Sequence, residues 1–532
     1  MNYYNFASSW LVYCSLQNNF LFPPSSTGIW VRGNHTLLLP ATQEKGTLMF
    51  SIRSSLILSA VVAFIVSPAS AQVQPPEIEW EKTFGGVSMD IGHSVKQTTD
   101  GGYVAAGWTN SFSTGPYDAY LIKTDASGNL EWQKRFGGAK DEYSFSVQQT
   151  TDGGYIAAGR TYSFGAGEWD AYLIKTNAHG DLEWDNTFGG ANHDEGWSVQ
   201  QTADKGYIVA GETNSFGTGN DADVYLIKTN ARGDLEWEKV FGGANHDAGR
   251  SVQQTTDGGF IVAGLTESFG AGMADIYLIK TDRQGNLLWQ KTFGDIGNEV
   301  GFSLQQTTDG GYIAAGQTFS FGAGGGDVYL VKTDRQGNLD WQRTISGGGD
   351  DLACSVQQTL NGGYIVGGWT WPVTHGDANV YLIKTDSDGI VVWQKKYGGA
   401  GNDLGLSVQQ TNDGGFIVAG QTFSFEGGES DVYLVKLSPE KPEGYFIRGD
   451  ANADGGLNIT DPIITLLWLF LGAAPPTCLD AADADDSGSI DITDAIYTLG
   501  HLFLGKAAPP PPHPEAGLDT TPDALGCNPW QP

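Results

Sequence analysis

Two twelve-residue stretches near the C-terminus carry the residue types that hold a hard cation. The first runs from Asp450 to Asp461 and puts Asp450, Asn452, Asp454 and Asp461 at positions one, three, five and twelve. The second starts 33 residues later and puts Asp483, Asp485, Ser487 and Asp494 at the same positions. Position six is glycine in both (Gly455, Gly488), and position eight is aliphatic (Leu457, Ile490). Ca²⁺ takes about six to eight oxygen ligands, and a glycine lets the chain turn sharply around it. Gly456 and Ser489, at position seven, add backbone carbonyls. Two copies that match at every ligand position predict two bound Ca²⁺ ions; mere acidic turns are the weaker reading.

Other chemical signatures are missing. The chain holds no His-Glu-x-x-His and no Gly-x-Ser-x-Gly, the motifs of zinc peptidases and serine hydrolases. Lys and Arg number 29 against 61 Asp and Glu, a net charge of −32. That balance excludes a nucleic-acid partner, because phosphates need a basic footprint. At 40% hydrophobic and 12% aromatic residues the chain has enough apolar material to fold.

The elements that would carry a site come from repetition. Trp80, Trp132, Trp184, Trp237, Trp289, Trp341 and Trp393 recur every 52 residues, with one step of 53. Such periods mean a solenoid, a propeller or an array. In the second unit, strand character falls on Ser146–Thr150, Tyr155–Thr161, Tyr172–Thr176 and Leu182–Phe188, with Asp152-Gly153-Gly154 as a hairpin turn. No unit holds a helix-length periodic run. Four short strands repeated seven times predict an all-β chain, a seven-bladed β-propeller over residues 78–437. A β-solenoid is the rival, with coils that are usually shorter. The region opens on a lone Trp-bearing strand at Ile78-Glu79-Trp80 and ends without one, so the first strand is expected to complete the last blade and leave no edge.

Features common to all blades are read as structure: the seven Trp pack between blades. A recurring acid, Asp90, Glu142, Asp194, Asp247, Glu299, Asp351 and Asp403, reads either as a cation-binding ring or as a loop acceptor of backbone N–H groups. The second is favoured, because loop shape explains all seven copies. Function is sought where blades differ, on the face with the longer loops. Trp108, Arg160, Trp197, Arg250, Trp369, Trp371 and His375 stand at variable positions. Aromatics beside Arg, Gln and Glu suit sugar rings, and blade-to-blade packing accounts for them equally.

Residues 49–71 have an Arg53-bearing start, a short apolar run and Ala69-Ser70-Ala71, the three parts of a secretory signal peptide. The run is too short to span a bilayer. Met49 is therefore the expected start, residues 1–48 are expected to be untranslated or disordered, and the mature protein is expected to be secreted or on the cell surface, with no membrane span. Residues 438–447 form a linker, 448–505 the calcium module and 506–532 a Pro-rich tail. Cys478 and Cys527 bracket the second half of this module, and in an exported chain they are expected to form a disulfide. Cys354 stands where other repeats have Phe145 or Trp197 and reads as a buried thiol.

Over residues 78–436 the units resemble secreted bacterial propeller repeats with a DGG[YF]IVAG signature. The EF-hand-type loops ending in Asp, each followed by one helix (Pro462–Leu471 and Ala495–Leu504), resemble type I dockerin repeats over residues 450–505. That resemblance implies a small α-helical module folded by calcium that docks on a cohesin-like receptor or cell-surface scaffold. It also implies polysaccharide-degrading enzymes as common company. The first helix, IITLLWLFLG, departs from the family in being apolar nearly all round. Three functions stay open: a secreted binding protein for a glycan or a protein, a polysaccharide hydrolase or lyase, and a structural surface protein. The first is preferred, with no catalytic residue assigned.

Overall fold

The fold is taken from a computed structural model. It describes residues 74–518 and Leu525, except residues 218, 220, 323–324, 373–375, 426–428, 441–444 and 477. The expected signal segment, His375 and Cys527 lie outside the described residues.

Seven four-stranded antiparallel sheets account for residues 78–437. The second is typical: Glu142–Gln149, Tyr155–Thr161, Asp170–Thr176 and Leu182–Phe188, each hydrogen-bonded to the next. The second and fourth strands fall where the repeat pattern puts them. The inner strand and the third start a few residues earlier than their apolar runs, on the acids Glu142 and Asp170.

Burial explains the sequence pattern. The two middle strands are buried at every residue, because another blade lies on each face, so they read as continuous apolar runs rather than alternating ones. The outer strand is exposed at Leu182, Glu183 and Asp185 and half-buried elsewhere. The core therefore sits between blades. Val104, Ala106 and Leu121 of the first blade pack with Val147, Tyr155 and Ile174 of the second. Each repeat Trp crosses the same gap: Trp132 of the first blade meets Tyr155 of the second edge-on at 5.5 Å. Equivalent pairs run from Trp80–Tyr103 at 5.6 Å to Trp393–Phe416 at 6.2 Å.

The ring closes as the repeat phase predicts. Ile78–Phe84 pairs antiparallel with Asp431–Leu437 as the outer strand of the seventh blade, Trp80 opposite Lys436 and Phe84 opposite Val432. One recurring device is invisible in the strand pattern. The Lys of every Ile/Val-Lys-Thr/Leu strand end is buried, and the ammonium of Lys175 reaches Asp152 in the hairpin turn (3.1 Å) and Glu183 on the outer strand (2.8 Å). A buried ammonium needs such partners.

Past the propeller, the described residues form three helices: α1 (Thr460–Leu471), α2 (Leu479–Ala482) and α3 (Ile492–Leu504). The long pair, α1 and α3, pack together. Both begin earlier than their apolar runs, because the twelfth residue of each acidic loop, Asp461 or Asp494, belongs to the first helical turn. There its carboxylate meets the positive end of the helix.

Candidate functional site

Each inner strand carries a β-bulge near its start. The residues left without a cross-strand partner are His93, Phe145, Trp197, Arg250, Phe302, Cys354 and Leu406. A bulge re-aims its side chain, and this position is the variable one of the repeat. It lies at the strand end that joins the longer loops.

On blades one to four these residues join a continuous patch. His93 meets Phe145 edge-on at 5.3 Å, and Phe145 stacks on Trp197 at 4.1 Å and 13°. The Arg250 guanidinium lies over Trp197 at 4.1 Å. Arg160 lies over Trp169 at 4.3 Å and over Tyr143 at 4.8 Å, and pairs with Glu195 of the next blade. Trp108 and Tyr117 extend the patch, with Trp108 at 5.5 Å from Tyr143 and 4.9 Å from Tyr117. Tyr162 leans on Trp169 at 5.1 Å. Glu212 couples Arg250 to His246, each at 3.4 Å.

The electrostatics follow from this packing. Burial, helped by Arg160, drives the His93 imidazole down to about 4, so it is neutral at pH 7. Burial pushes Glu212 up, but Arg250, His246 and Arg160 together hold it near 2. His246 is driven down by burial and raised by its Glu212 bond, and the bond wins. Each arginine thus has a carboxylate partner, and the patch offers half-buried aromatic surfaces beside Arg–Glu couples with both donors and acceptors.

Trp108, Arg160, Trp197 and Arg250, singled out in the sequence, converge here. Trp369 and Trp371 do not join them through any ring contact among the described residues. They lie on the sixth blade, whose first hairpin is lengthened to pair Trp371 with Asp350 and Pro372 with Gly349. Cys354, the bulged residue of that blade, is half-buried rather than buried. Sequence reasoning missed Tyr143, Trp169 and Glu195. The signal was there: Tyr143 and Glu195 hold the position after the repeat acid, where the other blades have Ile, Ala, Val or Leu.

The seven repeat acids are fully buried, and each accepts a loop N–H. Gly86 donates to Asp90 at 2.9 Å, Gly190 to Asp194 at 2.7 Å and Gly399 to Asp403 at 2.7 Å. Asp194 also takes the Ser215 hydroxyl at 2.6 Å. This is the loop-acceptor geometry favoured from the sequence.

The two C-terminal loops share one geometry. Asp450 accepts from the N–H groups of Asp454 (3.1 Å) and Gly455 (2.9 Å), and Asp483 accepts from Ser487 (3.0 Å) and Gly488 (2.7 Å). Asp461 accepts from Asn458 (2.7 Å) and Asn452 (3.3 Å), and Asp494 from Asp491 (2.8 Å) and Asp485 (3.3 Å). Positions four and six are left-handed in both: Ala453 and Gly455, Asp486 and Gly488. In the second loop, carboxylate oxygens of Asp483, Asp485 and Asp494 lie within 4.8 Å of one another. Burial and the neighbouring Asp485 and Asp483 raise Asp494 to about 7. One Asp485 oxygen is buried with no hydrogen-bond partner. Crowded carboxylates with an unsatisfied oxygen fit a divalent cation. Asn452, Asp454, Gly456, Ser487 and Ser489 lie on the same loops; Asn452 and Asp454 bond each other at 2.9 Å. Arg448, fully buried, ties the loops together through the carbonyls of Asp480 (3.4 Å) and Asp483 (3.1 Å) and the Asp486 carboxylate (2.9 Å). Cys478 is disulfide-bonded.

No protein-family model matches the chain. A regulatory protein, FlaEY of Caulobacter vibrioides, is 25% identical over 217 residues, covering 36% of this chain and 22% of that protein. Among solved structures, an ulvan lyase is similar with a TM-score of 0.44 at 12% identity, over 68% of this chain and 97% of its own. The polysaccharide lyase Uly1 gives 0.41 at 11%, over 72% and 95%. The Neurospora crassa Pan2 WD40 domain gives 0.41 at 12%, over 67% and 90%.

Proposed function

We propose that this chain is an exported glycan-binding propeller, held in an extracellular assembly by a calcium-dependent, dockerin-like module. The observation that carries the first half is the aromatic–arginine patch over blades one to four. A sugar presents an apolar C–H face and a rim of hydroxyls that both donate and accept. Half-buried Trp169, Tyr162 and Trp197 suit the face. The Arg160–Glu195 and Arg250–Glu212 couples are oriented by their ion pairs and suit the rim.

Two features support the second half. The paired loops have calcium-type ligands and near-identical geometry. The helices after them expose a run of large apolar residues, Ile463, Phe470 and Leu471 on α1 and Ile496, Phe503 and Leu504 on α3. Such patches mark contact surfaces, and a cohesin-like receptor is the proposed partner.

The test is a glycan array with wild-type protein and the Trp197→Ala and Arg250→Met variants, with a reducing-sugar assay in parallel. Wild type should bind a defined saccharide class without releasing reducing ends, and both variants should lose at least about tenfold in affinity. No binding by wild type, or binding unchanged in both variants, sinks the patch reading. Release of reducing ends would make the protein an enzyme.

A further inference from the structure

The central channel has a chemical bias that the blade repeat hides. Its cavity of about 340 Å³ is lined by the Ser of six inner strands and, in six of the seven, by the Gln two residues after the Ser. In six blades that Gln spends its carbonyl oxygen on the neighbouring blade. The N–H of Gln201 donates to Gln148 Oε1 at 2.7 Å, that of Gln254 to Gln200 at 2.6 Å and that of Gln306 to Gln253 at 2.6 Å. The same bond recurs for the Gln residues of the other three. A backbone N–H can bond only the oxygen end of a carboxamide, so the orientation is settled and every Nε2 is left to the channel. The serines follow suit: Val147 N–H donates to Ser94 Oγ at 3.3 Å and Val199 N–H to Ser146 Oγ at 3.2 Å. Ser355 departs from this and donates its hydroxyl to the Val408 carbonyl at 3.3 Å; the serines that accept keep a proton to donate into the cavity.

The remaining blade places Lys96 where the others have Gln. Lysine has no acceptor atom, so this blade gives up the interblade bond. Among the described residues no carboxylate pairs with its ammonium, and burial alone lowers its pKa. The half-buried Lys96 ammonium faces the cavity without a counter-charge. The channel wall is thus a ring of donors with a single positive charge, inside a chain of net charge −32.

We propose that the central channel is a binding site for a small organic oxyanion rich in acceptor oxygens, a sugar acid by size and chemistry, with Lys96 as its counter-ion. The carboxamide and hydroxyl donors take the ligand's remaining oxygens. The site is separate from the aromatic–arginine patch, so either stands without the other.

Isothermal titration of the full chain with galacturonate, galactose and sodium sulfate, at fixed ionic strength, tests this in wild type, Lys96→Gln and Lys96→Arg. Lys96→Gln installs the residue the other blades carry and restores the interblade bond, so it should fold; circular dichroism and melting check that. Galacturonate should bind wild type, weaken at least about tenfold in Lys96→Gln and recover in Lys96→Arg. Galactose should bind far more weakly to wild type. The idea is overturned if galacturonate shows no heat at tens of millimolar, or binds wild type and Lys96→Gln alike. Sulfate binding as tightly as galacturonate would overturn the sugar-acid class. Retention by Lys96→Gln of any saccharide bound at the patch would separate this site from that one.

Discussion

Removing residues 74–84 should open the propeller. The deletion takes away the outer strand of the seventh blade and its ladder with Asp431–Leu437. It strips the half-buried Trp80 and Phe84 from the cluster that joins the seventh and first blades. Truncating a fully buried aromatic costs about 3–5 kcal/mol, so two half-buried ones cost about that much together. Tyr433 loses its 2.5 Å bond to Glu81, about 1 kcal/mol. Lys436 loses Glu79 at 3.2 Å but keeps Asp413 at 2.8 Å, and adds little because both carboxylates are partly exposed. The loss is roughly 5 kcal/mol, a large part of an ordinary margin of about 5–15 kcal/mol. Urea denaturation followed by tryptophan fluorescence, with light scattering for association, reads it out. The shortened chain should unfold at a clearly lower midpoint and associate through the bared edge. Adding a peptide of residues 74–84 should restore part of the loss. An unchanged midpoint with a monomeric mass would refute closure by this strand.

Three further outcomes are expected. Asp450→Ala with Asp483→Ala should abolish calcium binding by the C-terminal module, read by calorimetry of the full chain, while the propeller melts as before; full calcium heat in the double variant would show that these loops hold no ion. Gly180→Ala should cost about 2–4 kcal/mol, since its φ is +74° and a Cβ would sit 2.8 Å from the Trp132 ring, adding a clash to left-handed strain. Gly153→Ala, at φ +87° with nothing within 4 Å, should cost only the strain, about 1–2 kcal/mol, and equal losses in urea melts would remove the Trp contact from the account. In an NMR titration, His93 should stay neutral to about pH 4 while His246 titrates above 6.5. The His246 contribution is then fully present below its unfolded value and lost as pH rises through its raised folded value. His93 acts in the opposite sense, and lowers stability as pH falls from 6.5 toward 4. Two histidines titrating together near 6.5 would contradict the packing of both.

Blade number, closure and the interblade Trp were legible because each leaves a signal of fixed period in one dimension. The Trp spacing matches the strand repeat, and the phase of the first unit shows which strand is displaced. The patch was legible only in part. Arg160 and Arg250 stood out as variable, but Arg160 meets Glu195 35 residues later in the next blade, and no local pattern links them. Trp369 and Trp371 carried the same signal without sharing the place, since the sixth blade spends its extra residues on a longer hairpin. Helix starts were misjudged because Asp461 and Asp494 read as loop ligands and also belong to the first helical turn. Arg448 gave no warning at all, being a lone cation before the first loop that serves the second.

The bulge explains why one position can diversify while the blades stay alike. A residue in the middle strands is buried in the core it shares with one neighbouring blade, so changing it disturbs an interblade core directly. The bulged residue is unpaired in the ladder, and its side chain belongs to the mouth. Its substitution leaves the core almost untouched. Seven such places form a rim, and here they divide. His93, Phe145, Trp197 and Arg250 occupy consecutive blades, whereas Phe302, Cys354 and Leu406 are apolar or weakly polar. A ligand bound by stacking and charge-assisted hydrogen bonds gains only on the first arc, so it must lie off the propeller axis, over blades one to four. On the proposed reading, exchanging Trp197 or Arg250 is expected to change recognition, whereas exchanging Leu406 on the opposite arc should change little beyond its own packing.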